Sequence, residues 1–453
     1  MSLALGTNGV RALFDELDGK AAMDLGYGFA EFIKRITKKK NPSIAIARDM
    51  RLTSPLLYSA TAAGLMRGGA NVVGFGLLPS PVAEWGRQYY NLDGLIIVTA
   101  SHNPPQWNAL KFVDNKGVSI SSKRGRTICN FLHKPYKDMT YLEVGQKKEV
   151  DILNLYYKDV LDFAKKFKFK KLKVVADFGN GTSSVILPQI LEALGMQTIF
   201  LNKDLDGTFP SRPSEPVEEN LTALISKVKN SKADFGIALD GDADRITFVD
   251  EFGNWIVGDK CLAILEKFML ENSKETKKYV ITTYATSKVV QEVASAFEVK
   301  TIYTDVGAPY LSEKIYSLKE QCYIAGEEVG GIVIPSFSLA KDGILAAVIL
   351  CAAVSLKPLS EWVSELPSFF NYKIKIPVSA NKKEIIIKKF FSKIKSNYKR
   401  VVSLKNGFRI DFEDSWVLVR ASGTENYIRI FAEAKSSTLA KELATSFANK
   451  IKI

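Results

Sequence analysis

Three short apolar segments, each stopping abruptly at a polar loop, constrain this chain more than any other feature: Asp93-Gly-Leu-Ile-Ile-Val-Thr-Ala100, Ala233-Asp-Phe-Gly-Ile-Ala-Leu239 and Gln321-Cys-Tyr-Ile-Ala325. Such runs read as strands covered on both faces, and a helical pattern precedes each. Earlier strands of the same kind, Ser43-Ile-Ala-Ile-Ala47, Lys173-Val-Val-Ala176 and Tyr279-Val-Ile-Thr282, each lead through a turn into a helical stretch. The repetition predicts three similar α/β domains with mixed sheets, whose loops meet at one crevice. The last portion differs. Strand Tyr372-Lys-Ile-Lys-Ile376, a lysine-rich helix, a hairpin around Asn406-Gly407, strands ending at Arg420 and Ala432 and a helix from Ser437 predict a smaller C-terminal α+β domain. The expected domains are 1–150, 151–253, 254–368 and 369–453. A chain of 453 residues exceeds the size at which one core stops growing, about 250–300 residues, and its 46% hydrophobic content can fill several.

The loops carry the chemistry. In Asp240-Gly-Asp-Ala-Asp-Arg245, carboxylates at alternate positions can turn three hard oxygens toward one point, which suits Mg²⁺, Mn²⁺ or Ca²⁺. Glu251 at the twelfth position gives a partial EF-hand match, but Arg245 stands where that loop needs glycine and both flanks read as strands. Ser101, in Leu95-Ile-Ile-Val-Thr-Ala-Ser-His-Asn-Pro-Pro105, has three readings: a turn hydroxyl, a hydrolase nucleophile or a phosphate carrier. A nucleophile elbow is missing, and His102 and His133 are the only histidines. The phosphate reading needs a metal and cations, and the chain has both. Glu327 and Glu328 lie between glycines in Tyr323-Ile-Ala-Gly-Glu-Glu-Val-Gly-Gly331, where a polyhydroxylated ligand could approach the backbone. Trp416-Val-Leu-Val-Arg-Ala-Ser-Gly-Thr-Glu425, followed by Arg429, reads as a cradle for a phosphate dianion.

In this order the four loops resemble those of the α-D-phosphohexomutase superfamily, which includes phosphomannomutase/phosphoglucomutase and phosphoglucosamine mutase. Thr99-Ala-Ser-His-Asn-Pro104 is similar to its phosphoserine loop, Asp240 to Arg245 to its metal loop, Gly326-Glu-Glu-Val-Gly-Gly331 to its sugar-binding loop, and Arg420-Ala-Ser-Gly-Thr-Glu425 to its phosphate-binding loop. Gly6-Thr-Asn-Gly-Val-Arg11, Arg48-Asp-Met-Arg51, Asn108-Ala-Leu-Lys111 and Asp206-Gly-Thr-Phe-Pro210 extend the resemblance along the whole chain. It implies four domains around a central cleft, the last hinging over it. It further implies a mutase interconverting sugar 1-phosphate and sugar 6-phosphate, with mannose or glucose as the sugar. Ser101 would carry the phosphoryl group through a bound 1,6-bisphosphate, and glucose 1,6-bisphosphate or a similar compound would be the activator. Ser101, Asp240, Asp242 and Asp244 would hold Mg²⁺. Arg11, Lys111 and Arg245 would flank the reacting oxygens, with Lys111 a possible proton shuttle. Glu327 and the backbone around Val329 would bind the sugar, and Arg420, Ser422, Gly423, Thr424 and Arg429 the distal phosphate. Val329 replaces a serine, Gly331 a histidine and Asn426 a proline found in many relatives, so phosphoglucosamine or phosphopentose remain alternative substrates. A Mg-dependent sugar phosphatase and a non-catalytic sugar-phosphate binder are the readings from other classes.

Composition excludes other partners. The longest apolar run, Ile344 to Val354, is shorter than the roughly 20 residues of a membrane helix and reads as a buried helix. Asn8 and Arg11 interrupt any signal-peptide pattern, and four scattered cysteines without C-x-x-C spacing read as reduced core thiols, so a cytoplasmic enzyme is expected. The net charge of +13 comes with no nucleic-acid motif, and the lysine clusters read as solvated faces. A small sugar phosphate is the expected partner, with no nucleic acid and no membrane. Oligomeric state is not legible.

Overall fold

The structure, a computed structural model, describes residues 3, 5–6, 9–273, 276–379, 382–422 and 426–451. It contains four sheets in chain order, and the first three share one plan. In each, the strand that runs into a chemical loop pairs parallel with an inner strand and antiparallel with the strand that returns from the loop. Gly94–Val98 lies between Ser43–Arg48 and Trp107–Val113, Phe235–Leu239 between Lys173–Asp177 and Ile246–Val249, and Cys322–Glu327 between Tyr279–Thr283 and Gly331–Val333. A further parallel strand lies outside each inner one: Asn71–Leu77, Gln197–Leu201 and Lys300–Thr304. The triplication therefore holds at the level of strand order, and the three loops are the hairpin connections at equivalent sheet positions.

Extra strands enlarge the first two sheets. Leu5–Gly6, Gly9–Leu13 and Lys147–Glu149 complete a seven-stranded first sheet, and Trp255–Ile256 a five-stranded second one. One correction concerns the third loop. Gly326 and Glu327 continue the strand, with Glu327 opposite Gly331, so only 328–330 form the turn. The fourth domain is an all-antiparallel five-stranded sheet, ordered Phe370–Pro377, Tyr427–Ala434, Trp416–Ala421, Gly407–Asp411, Val401–Leu404, with helices Lys383–Ile394 and Ser437–Ile451.

Helix Gly343–Leu356 joins the second and third domains. It is buried along its length except at Leu356, is capped by Asp342 Oδ1 accepting from Leu345 N at 2.8 Å, and touches helices of both domains. Each of its fully buried aliphatic side chains contributes about 1.5–3 kcal/mol. A single hydrophobic cluster runs through it from Phe75 and Trp85 to Trp362, welding three domains into one body. The fourth domain has its own core and meets the third through a small cluster of Ala285, Trp416 and Leu418. Val306, Leu404 and Phe431 pack around that cluster, and Arg409, Lys288 and Glu433 add polar contacts across the seam. Among the described residues, no helix is long and apolar enough to cross a membrane.

Candidate active site

Ser101 sits in the left-handed region, φ +53°, at a position where a non-glycine residue is strained. Arg51 holds it there. That guanidinium, 1% exposed, donates to the carbonyls of Ser101 at 2.9 Å, Asn103 at 2.6 Å, Pro104 at 2.7 Å and Trp107 at 3.1 Å, with its Nε on Asp49 at 3.1 Å. Phe209, from the Asp206-to-Pro210 segment, lies under the same guanidinium. The serine loop and the metal loop then clasp. Ser214 Oγ donates to Ser101 O at 3.2 Å and accepts from Gly241 N at 2.9 Å. A Cβ on Gly241 would stand 3.0 Å from Ser101 O, so only glycine allows the loops this close.

The result is a short contact between hydroxyl and carboxylate: Ser101 Oγ donates to Asp240 Oδ2 at 2.5 Å. Asp240, Asp242 and Asp244 are all buried and present ligand atoms within 4.8 Å of one another. Asp242 Oδ2 accepts from Ser80 Oγ at 2.5 Å and Lys111 Nζ at 2.6 Å, and Asp244 Oδ2 from Lys111 at 3.0 Å. Asp242 Oδ1 and Asp244 Oδ1 are buried without a hydrogen-bond donor. Two orphaned anionic oxygens beside a third carboxylate are the donor set a hard divalent cation takes.

Electrostatics here are strongly coupled. Burial, then Asp244 and Asp242, push the Asp240 carboxyl above its ordinary range. Burial acts in the same sense on Asp244, but Lys111, Lys341 and Arg245 outweigh it and hold that group well below. Burial would depress Lys111, yet Asp242 and Asp244 raise it, so it is an ammonium. Arg11 is lowered to about 10 by burial and by neighbouring Arg245, and it donates to Asn103 of the serine loop. His102 Nδ1 lies 3.3 Å from Ser101 Oγ, and burial, Arg245 and Arg11 keep its ring neutral.

The third loop closes on the second. Ile246 N donates to Gly330 O at 3.1 Å, and Gly330, at φ +82°, has Ile246 O where a Cβ would be, 2.2 Å away. Glu327 is buried and Glu328 Oε2 accepts from Thr283 at 3.1 Å, while Val329 is half-buried in the turn. On the fourth domain Arg420 pairs in register with Arg429, and Ser422 is buried, its carbonyl accepting from Lys383 at 2.8 Å. Burial lowers Arg420, and Glu328 of the sugar turn is the largest opposing influence. Gly423 and Thr424 lie outside the described residues.

The structure thus brings Ser101, the three aspartates, Arg11, Lys111, Arg245 and Glu327 together from three domains. It adds residues the sequence analysis missed. Lys341 Nζ bridges Glu327 Oε1 at 2.8 Å and Asp244 Oδ2 at 3.2 Å, tying the sugar strand to the metal loop. A Cβ on Gly331 would stand 2.5 Å from Lys341 Cδ, so glycine at this position makes room for the bridge. Ser80 orients Asp242, and Glu84, raised to about 7 by burial, lines a void of about 20 Å³ with Lys111, Asp244 and Lys341. Nothing in the local pattern around these residues marks them.

Four family models match consecutively: phosphoglucomutase/phosphomannomutase alpha/beta/alpha domain I over residues 2–138, domain II over 154–253, domain III over 257–370 and the C-terminal domain over 374–450. A phosphoglucomutase/phosphomannomutase of Thermococcus kodakarensis is 35% identical, over 98% of this chain and 97% of its own. A phosphoglucosamine mutase of Methanocaldococcus jannaschii is 32% identical, over 98% and 97%. Among solved structures, a phosphoglucomutase/phosphomannomutase family protein of Burkholderia thailandensis superposes with TM-score 0.86 at 24% identity, covering 99% of this chain and 96% of that one. An Aspergillus fumigatus N-acetylphosphoglucosamine mutase, in complex with GlcNAc-6P and magnesium, superposes with TM-score 0.65 at 16% identity, covering 100% and 96%. With all four domains matched in order, the chain belongs to the phosphoglucomutase/phosphomannomutase family of the α-D-phosphohexomutase superfamily and is an intramolecular phosphotransferase, an isomerase.

Proposed function

We propose that the chain interconverts hexose 1-phosphate and hexose 6-phosphate, with glucose and mannose as the sugars, and that Ser101 Oγ carries the phosphoryl group. The observation that supports this reading is the Ser101–Asp240 contact at 2.5 Å beside two donor-free carboxylate oxygens. Phosphorylated Ser101 donates its phosphoryl group to the free hydroxyl of a sugar monophosphate, leaving a 1,6-bisphosphate and a free serine. After the bisphosphate turns end for end, Ser101 Oγ takes the other phosphoryl group and releases the isomer. Asp240, Asp242 and Asp244, with an oxygen of the serine-bound phosphate, would hold Mg²⁺, whose charge offsets that of the phosphoryl oxygens.

The chain's own groups do the rest. Arg11 and Arg245 present guanidiniums to the transferring group. Lys111, an ammonium held on Asp242 and Asp244, would act as proton shuttle to the departing oxygen, and Glu327 would offer Oε2 to a sugar hydroxyl while Oε1 holds Lys341. Arg420, Ser422 and Arg429, joined by Gly423 and Thr424, grip the phosphate that is not reacting. That second grip, on a separate domain, favours a mutase over a phosphatase, since a bisphosphate must be held at both ends.

The test is turnover of glucose 1-phosphate with Mg²⁺ and a trace of glucose 1,6-bisphosphate. Glucose 6-phosphate should form, and Ser101→Ala should abolish it while leaving the thermal transition in place. Inorganic phosphate as the main product, or full activity in Ser101→Ala, would reject the reading. Phosphoglucosamine is the second substrate reading, favoured by the Methanocaldococcus relative. Parallel assays on glucose, mannose, glucosamine and ribose phosphates separate the two.

A further inference from the structure

The seam between the third and fourth domains contains a second cationic cavity, remote from the candidate active site. Its volume is about 240 Å³, and it opens beside a recess of about 520 Å³ with which it shares Arg400, Asp411 and Phe412. Lys288, Arg400 and Arg409 line the smaller cavity against one carboxylate, Asp411. That carboxylate is already engaged: Arg409, 2% exposed, donates to Asp411 Oδ1 through Nε at 2.9 Å and Nη2 at 2.8 Å. Among the described residues Lys288 Nζ donates to backbone carbonyls, those of Phe412 at 3.3 Å and Glu413 at 2.9 Å. Arg400 is exposed and forms no side-chain ion pair among the described residues. Among the described residues neither Lys288 nor Arg400 has a carboxylate oxygen at ion-pair distance, Asp411, Glu433 and Asp414 acting on Lys288 only through space, and both face a cavity sized for a small ligand.

The cavity lies away from the phosphate-gripping loop. Within the hairpin formed by 407–411 and 416–421, Gly407 pairs with Arg420 while Asp411 pairs with Trp416. Four residue steps along the strand separate the two ends, or about 13 Å. The cavity is nevertheless wired to the sugar turn. Arg409 Nη1 crosses the seam to Tyr284 O at 2.8 Å, and the preceding residue, Thr283, donates to Glu328 at 3.1 Å.

We propose that this seam cavity is an effector site for a phosphate dianion, free or carried by a small metabolite. Bound there, the dianion bridges Lys288 of the third domain and Arg400 of the fourth, and so biases the angle at which the fourth domain presents Arg420 to the cleft. A ligand that contacts both sides of the seam binds best the domain orientation that brings both cations onto it, which is all that coupling requires. The proposal does not depend on which sugar phosphate is turned over.

The test uses the full chain labelled with fluorotyrosine, the Tyr303 fluorine resonance being assigned by its loss in Tyr303→Phe. Orthophosphate and glycerol 3-phosphate are titrated at constant ionic strength. The resonance should shift saturably in the wild type and equally in Arg420→Ala, in which the catalytic-cleft grip is impaired. Half-saturation should weaken roughly tenfold or more in Arg400→Glu and in Lys288→Met. Tighter binding of glycerol 3-phosphate identifies a phosphorylated metabolite as the effector, and equal binding identifies the free ion. No saturable shift, or unchanged half-saturation in both seam variants, overturns the proposal.

Discussion

Lys341→Met isolates the bridge that joins the sugar strand to the metal loop. The ammonium stands 2.8 Å from Glu327 and 3.2 Å from Asp244, both carboxylates buried and the lysine side chain 11% exposed. At an effective dielectric of about 20, each contact is worth roughly 5–6 kcal/mol of gross attraction, most of it offset by the cost of taking the ions out of water. Truncating one partner of such a set leaves uncompensated charge and costs about 3–5 kcal/mol. The lower end applies, because Asp244 keeps Lys111 at 3.0 Å. Methionine preserves the length of the chain and removes only the charge and its hydrogen bonds. A loss of ~3 kcal/mol lowers the melting temperature of a three-domain body, at roughly 2.1 cal/mol/K for each of about 370 residues, by on the order of 4 °C. Calorimetry with EDTA should show that drop, insensitive to added NaCl because the pairs are buried. Excess Mg²⁺ should recover part of it, since a cation on Asp244 replaces some of the missing charge. The KM for the sugar phosphate should rise, as Glu327 loses the group that orients it. A metal-free transition within about 1 °C of wild type, against the roughly 4 °C expected, would refute the bridge as a structural element.

Asp242→Asn should raise the Mg²⁺ concentration for half-maximal activity at least roughly tenfold, because even outer partners of metal ligands are worth that much, and an unchanged titration would remove Asp242 from the metal site. Glu266, fully buried in helix Gly258–Asn272 with neither carboxylate oxygen bonded, has its folded-state pKa pushed well above the ordinary value by burial. Stability linked to it is fully present below the unfolded pKa of about 4.3 and is lost as pH rises toward the folded value, at ~1.4 kcal/mol per pH unit. Urea midpoints between pH 5 and 9 should therefore fall less steeply in Glu266→Gln, and parallel curves would disprove the assignment. Gly330→Ala forces a side chain into φ +82° and against Ile246 O, a strain of about 1–3 kcal/mol that should part the sugar turn from the metal strand. Its signature is a raised KM with Mg²⁺ half-saturation unchanged, and wild-type kinetics would show that the two loops need not touch.

What was legible in the sequence follows one physical rule: signals carried by neighbours in the chain survive, and signals made by tertiary closure do not. An apolar run that stops at Asp240 or Ser101 announces a buried strand and a loop at its mouth, and alternate carboxylates announce a hard cation, because the residues concerned are adjacent. Ser80, Glu84 and Lys341 have no such announcement. Ser80 and Glu84 lie on a helix of the first domain, and Lys341 precedes a capping aspartate in the third, yet Ser80 and Lys341 bond carboxylates of the second. Glu327 was assigned to a loop because Gly326 precedes it, but pairing with 331–333 holds both residues in the strand. At Gly331 the sequence alone shows only a departure from the histidine of many bacterial members of the superfamily it resembles. In three dimensions it is the space that Lys341 occupies on its way to Glu327 and Asp244. The departure and the newly found cation are thus one feature, and the sugar strand of this chain is oriented by a lysine that reaches it through the volume of a missing side chain.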